Sequence, residues 1–118
     1  MKAEIIDRVR LTSVLDIDNV EMTKIILSIF EDIPKSLEQV RACYLAKDRG
    51  QISFVAHTLK GETASFGLVG LSKLFATLEE EAEDLSLNEI EDFLNQIGII
   101  NSASCREFNA NHLQGSNK

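Results

Sequence analysis

Gln51-Ile52-Ser53-Phe54-Val55-Ala56-His57-Thr58-Leu59-Lys60-Gly61-Glu62-Thr63-Ala64-Ser65-Phe66, in the middle of the chain, decides the reading of the fold. The stretch is helical in pattern. At about 100° per residue, Ile52, Val55, Leu59 and Phe66 fall on one side. His57, Lys60 and Gly61 fall in a narrow arc on the other, at spacings that make them surface neighbours. The helix therefore has a core-facing side, and it displays an imidazole, an ammonium and a position without a side chain away from that core.

Upstream, Ile25, Ile26, Ile29, Phe30, Ile33, Leu37, Val40, Tyr44 and Leu45 repeat every three or four residues as one buried stripe. Pro34 interrupts it. The proline either kinks one long helix or opens a new one with Asp32 as cap, and the stripe continues in phase past it. Residues 3 to about 12 read as a short first helix through Ile5, Ile6 and Val9. Asp16 and Asp18 are cap candidates for the helix that follows. Lys47-Asp48-Arg49-Gly50 reads as a tight turn with Gly50 as the helix terminator.

Downstream, Gly67 and Gly70 bracket a connection. A helix from about Leu71 to Asp84 follows, with Leu71, Leu74, Phe75 and Leu78 as its stripe. The acidic run Glu79, Glu80, Glu81, Glu83 and Asp84 opposes the dipole of that helix, so packing must hold it. Ser86 caps a last helix through Leu87, Ile90, Phe93, Leu94 and Ile97. Gly98 and residues 101–104 weaken it, while Ile99, Ile100 and Phe108 extend it. There is no repeat, linker or strand alternation. These elements predict an all-α fold, an antiparallel up-and-down four-helix bundle with an additional short N-terminal helix. One domain occupies residues 1–118, with a core of about 18–110 and a frayed tail of about 111–118.

Composition narrows the function classes. A chain of 118 residues makes one domain, and its 44% hydrophobic and 26% charged content is that of a soluble globular protein. The net charge of −7 excludes a general nucleic-acid binder and disfavours an anionic membrane surface. No apolar run is long enough for a signal peptide or a membrane span. Cys43 and Cys105 lack metal-type spacing and read as free thiols of a cytoplasmic protein. The opening Met1 favours a free-standing chain, and a monomer is expected.

Elimination leaves little chemistry apart from His57. Zinc or di-iron sites need several His, Cys or Glu ligands at set spacings, and the second histidine, His112, lies in the expected tail. Neither Gly-x-Gly-x-x-Gly nor a Walker pattern is present, so no ATP site and no autokinase activity is expected. A neutral imidazole is a competent nucleophile near pH 7. Lys60 can stabilise the negative charge of a phosphoryl group placed on it, and Gly61 leaves room for that group and an approaching partner. A glycine inside a helix costs about 1 kcal/mol relative to alanine, so its presence here asks for a reason.

The hexapeptide Ala56-His57-Thr58-Leu59-Lys60-Gly61, followed by Gly67, Leu71, Leu74, Leu78 and Glu79, resembles the histidine-containing phosphotransfer (HPt) domain family. Pro34, Leu37 and the Asp48-Arg49-Gly50 turn match its upstream pattern, and the resemblance spans about residues 20 to 95. It implies a phosphorelay carrier that accepts a phosphoryl group from a receiver-domain aspartate onto Nε2 of His57 and passes it to another. Lys60 would lie next to the phosphoryl oxygens, Gly61 would give access, and Glu79 would hold the other imidazole nitrogen. The implied partners are receiver domains of response regulators or hybrid sensor kinases. No cofactor is expected on this chain, and a divalent metal is expected on the receiver. Phe54, Thr58, Ala64, Ser65 and Leu68 form the expected docking patch. The competing reading is a non-catalytic helical interaction module that binds a receiver or another signalling partner; a metal-binding bundle enzyme is a weaker third.

Overall fold

The computed structural model describes residues 4–113. Five α-helices follow one another: α1 (Arg8–Leu15), α2 (Asn19–Leu45), α3 (Arg49–Ser65), α4 (Val69–Glu81) and α5 (Leu87–Phe108), with a π-helical turn at Asn109–Leu113. Among the described residues there is no strand. Helix α2 packs on α3 and α5, α4 packs on the same two, and α1 leans on α2. Polar ties show how paired helices run. Arg49, at the start of α3, donates to the Ala82 carbonyl just past α4 at 2.7 Å. Ser72, early in α4, donates to the Lys60 carbonyl of α3 at 3.2 Å. On the other pair, Arg41 of α2 grips Glu91 of α5 at 2.7 and 2.8 Å. Asn101 of α5 meets the Phe30 carbonyl of α2. In both pairs, later residues of one helix meet earlier residues of the other.

The core follows the apolar stripes. Ile26, Ile29, Phe30, Ile33 and Val40 of α2 are buried with Ile52, Val55, Ala56 and Leu59 of α3, Leu71, Phe75 and Leu78 of α4, and Ile90, Leu94 and Ile97 of α5. Leu45 and Leu87, expected in those stripes, are largely exposed at the helix ends, where the partner helices stop.

Several local expectations are corrected. The first helix starts at Arg8 because the Asp7 carboxylate caps it, accepting from the Arg10 N–H. Ile5 and Ile6 precede it in a bend that bonds to the α3–α4 connection: Asp7 N–H donates to the Gly67 carbonyl at 2.7 Å, and Gly70 N–H to the Ile5 carbonyl at 3.1 Å. Ile6 is buried, whereas Val9 stands in solvent. Gly67, at φ +77°, is required here, since a Cβ would lie 2.8 Å from the Asp7 carbonyl oxygen. Asp18 caps α2, while Asp16 ends α1. The residue that terminates α2 is Lys47, at φ 61°, and not Gly50. Asp48 N–H bonds to the Cys43 carbonyl and Lys47 N–H to the Tyr44 carbonyl, the two hydrogen bonds of a Schellman ending. Asp48 then caps α3, leaving Gly50 in its first turn. Gly98 and residues 101–104 do not end α5, which runs on to Phe108. Of the expected tail, residues 114–118 lie outside the described residues.

Pro34 neither opens a helix nor stops one: α2 continues through it. A proline lacks the N–H that would bond four residues back, so the Phe30 carbonyl loses its helical donor. The buried Asn101 side chain supplies a replacement, its Nδ2 donating to that carbonyl at 3.0 Å. This compensation makes a prediction. Asn101→Leu should cost about 1–3 kcal/mol, the range for leaving a buried carbonyl unpaired. In a Pro34→Ala background, where the residue 34 N–H can take the carbonyl, the same change should cost clearly less. A double-mutant cycle by chemical denaturation checks this, and strict additivity would contradict it.

Candidate functional site

His57, Lys60 and Glu79 meet on the face shared by α3 and α4. The approach begins with small or apolar residues beneath them: Ala56, beside His57, is fully buried, as are Phe75 and Leu78 of α4. Ser72 and Glu79 are seven residues apart, two turns along the same face of α4. Ser72 Oγ donates to the Lys60 carbonyl, which also accepts from Thr63 Oγ1 at 3.3 Å. One α4 side chain thus holds the α3 backbone at residue 60 while another reaches the side chains of residues 57 and 60.

The Glu79 carboxylate is the centre of the cluster. Its Oε2 lies 2.9 Å from His57 Nδ1 and its Oε1 lies 2.7 Å from Lys60 Nζ. The side chains are 64%, 36% and 24% exposed for His57, Lys60 and Glu79, so the imidazole is displayed and the carboxylate is tucked behind it. The Lys60 ammonium is the main influence holding the Glu79 carboxyl below the usual carboxylate range; the His57 bond acts in the same sense, against partial desolvation. An ionised carboxylate can only accept, so the facing Nδ1 carries the proton and the lone pair of the neutral ring sits on Nε2.

Gly61, one turn beyond His57, leaves open space: a Cβ built there would meet nothing within 4 Å. Its tolerance therefore has no source in the packing of this chain. Phe54, Thr58, Gly61 and Ser65 form an exposed stripe along α3, and Ala64 flanks it. Phe54 is 62% exposed. Thr58 Oγ1 donates to the Phe54 carbonyl and Ser65 Oγ to the Gly61 carbonyl, turning both hydroxyls back onto the helix. Leu68 does not belong to this patch. It is fully buried, because the connection after α3 turns it inward below Gly67. Ser72 and Thr63 are the residues the sequence reading missed. A serine two turns before Glu79 on the packed side of α4 was the available signal for the first; nothing marked the second.

A groove of about 690 Å³ lies between α2 and α5 around Arg41 and Glu91 and does not include His57. Among the described residues no group of His, Cys, Asp or Glu is arranged to hold a metal ion, and no helix is long and apolar enough to cross a membrane. Cys43 and Cys105 are free thiols.

The Glu79 pairings carry a pH signature. The folded pKa of Glu79 is below its unfolded value, so its pairings contribute stability above the ordinary carboxylate range of about 4. That contribution is lost as pH falls through the folded value. Glu79→Gln should therefore be less stable than wild type near neutrality, with the two curves converging in acid. Chemical denaturation over a pH series measures this, and a constant separation would contradict it.

A family model described as the Hpt domain matches residues 24–103, and no curated protein matches the chain. The match takes in well over half the sequence, including His57, Lys60, Gly61 and Glu79, and the all-helical architecture accords with it. Hpt domains are phosphocarriers and not kinases. The chain belongs to the Hpt domain family, whose members carry out histidine phosphotransfer in two-component phosphorelays.

Proposed function

We propose that this chain is a phosphorelay intermediate that takes a phosphoryl group from the aspartate of one receiver domain onto His57 and delivers it to the aspartate of another. The observation that carries this reading is the His57–Glu79–Lys60 cluster on an open helix face. Glu79 holds Nδ1–H, so Nε2 is the nucleophile. Its lone pair attacks phosphorus in line as the receiver's acyl phosphate bond breaks, and the carboxylate leaves with the electron pair. Positioning and charge are the main protein contributions to such a transfer. Lys60 neutralises part of the charge on the phosphoryl oxygens. Gly61 keeps the approach clear, and the stripe of Phe54, Thr58, Ala64 and Ser65 gives the receiver a mixed apolar and polar surface to dock on.

The scaffold is read as an up-and-down four-helix bundle, with α1 as the additional N-terminal helix. It forms a single domain that acts as a monomer in the cytoplasm. No cofactor is assigned to this chain; a divalent ion on the receiver assists the phosphoryl group.

Two outcomes test the reading. His57→Gln should fold with a wild-type helical spectrum yet accept no label from phosphorylated receivers of the source organism. Label on that variant would place the phosphoryl group on another residue and overturn the His57 assignment, and receiver docking by the wild type without any transfer would leave only a binding module. Gly61→Ala should be more stable by about 0.5–1 kcal/mol, the difference in helix propensity, and slower in transfer. A stabilised variant with undiminished transfer would remove the steric role of Gly61.

A further inference from the structure

One carboxylate serves two groups here whose demands diverge once His57 is loaded. In the free protein Glu79 accepts from both Nδ1 of His57 and Nζ of Lys60. A phosphoryl group on Nε2 brings further negative oxygens to the same cluster, and Lys60 is the cation in contact with it. The ring bearing that group also carries a positive charge as long as Nδ1 stays protonated. The fate of that proton decides reactivity. When the N–P bond breaks with Nδ1–H in place, its electron pair returns to Nε2 and neutral imidazole leaves. Without that proton the leaving group is an imidazolate, which is far poorer.

We propose that Glu79 keeps the loaded carrier reactive, by retaining the Nδ1 proton of the phosphorylated ring and by holding Lys60 in a shared position that limits its stabilisation of the phosphoryl group. The inference rests on the phosphocarrier reading above and says what kind of carrier this is: one whose phosphohistidine is short-lived and readily handed on. Glu79 is a positioning residue in this role, acting through His57 and Lys60 and not on phosphorus.

The surroundings leave Glu79 as the group that governs this proton. Lys60 is the charged neighbour on α3. On α4 the next carboxylates are Glu80 and Glu81, both exposed, and Glu83 lies beyond the helix end. Helix α2 faces this part of α3 with Ser36 and Gln39, neither of which titrates. A carboxylate hydrogen-bonded to a ring N–H favours the protonated ring, and an amide in its place does so less.

The test uses the full chain loaded with phosphoramidate, a small donor that needs no receiver, and follows the phosphohistidine by ³¹P NMR across the neutral pH range. In transfer to water an O–P bond forms as the N–P bond breaks, and the water proton passes to solvent. The wild type should retain fast decay to higher pH. Glu79→Gln should lose it at lower pH and decay severalfold more slowly at neutrality, because an amide holds the ring proton less well than a carboxylate. Lys60→Gln, which frees Glu79 for the ring and takes the cation from the phosphoryl oxygens, should decay faster than wild type. Opposite movement of the two variants separates this role from general loosening of the site, which would move both the same way. Wild-type protein that does not load on His57 would overturn the phosphocarrier reading together with this inference. Equal loading with superimposable pH profiles for wild type and Glu79→Gln would overturn this inference alone.

Discussion

The close approach of α3 and α4 is the constraint on which the site depends. A carboxylate on one helix reaches an imidazole and an ammonium on the other only when the backbones are near, and that nearness comes from what lies between them. Ala56 is fully buried beside His57, and Phe75 and Leu78 fill the space below. The Ser72 hydroxyl is bonded to the Lys60 carbonyl, and Arg49 ties the far end of the pair to the Ala82 carbonyl. Substituting a larger residue at Ala56 would force the helices apart, since a packed core responds even to single methylenes. The position of His57 beside Glu79 and Lys60 is thus set by residues outside the cluster.

The opposite pair, α2 and α5, has no evident chemistry and serves as the support. Its polar ties are the Arg41–Glu91 pair, with Glu38 also on Arg41, and the Asn101 side chain bonded to the Phe30 carbonyl. The second compensates a defect that Pro34 introduces into α2. Hydrogen bonding of a buried carbonyl by a distant asparagine also fixes the relative height of the two helices, because no other offset brings the amide to that oxygen. At the other end, Ile6 and the hydrogen bonds from Asp7 and Gly70 anchor the N-terminal segment on the turn that leads from α3 to α4.

Much of this was legible in the sequence, for identifiable reasons. Periodicity placed the stripes of α2, α3, α4 and α5 because each buries a continuous face, and the Ser86–Glu89 capping box marks the start of α5 as the serine suggested. The spacing of His57, Lys60 and Gly61 gave their common face, and the family pattern pointed to Glu79. Features that depend on a second segment were not legible. Leu68 looked like a surface residue by its distance from His57, but the turn after Gly67 rotates it into the core. Gly50 looked like a terminator by its type, while the Lys47 backbone takes the left-handed position because the two Schellman hydrogen bonds and the Asp48 cap outweigh the strain. That Glu79 would bind Lys60 as well as His57 could not be read from spacing within one helix.

In the proposed relay, an exposed histidine held by a carboxylate and backed by a lysine, on a bundle of the Hpt family, acts as a phosphoryl carrier whose reactive atom is fixed before any partner arrives. The central claim concerns that atom. Phosphorus–proton correlation NMR on ¹⁵N-histidine-labelled protein loaded with phosphoramidate identifies which nitrogen bears the phosphoryl group and whether the other keeps its proton. The account predicts phosphorus on Nε2 of His57 with Nδ1 protonated, and phosphorus on Nδ1, or on another residue, would contradict it.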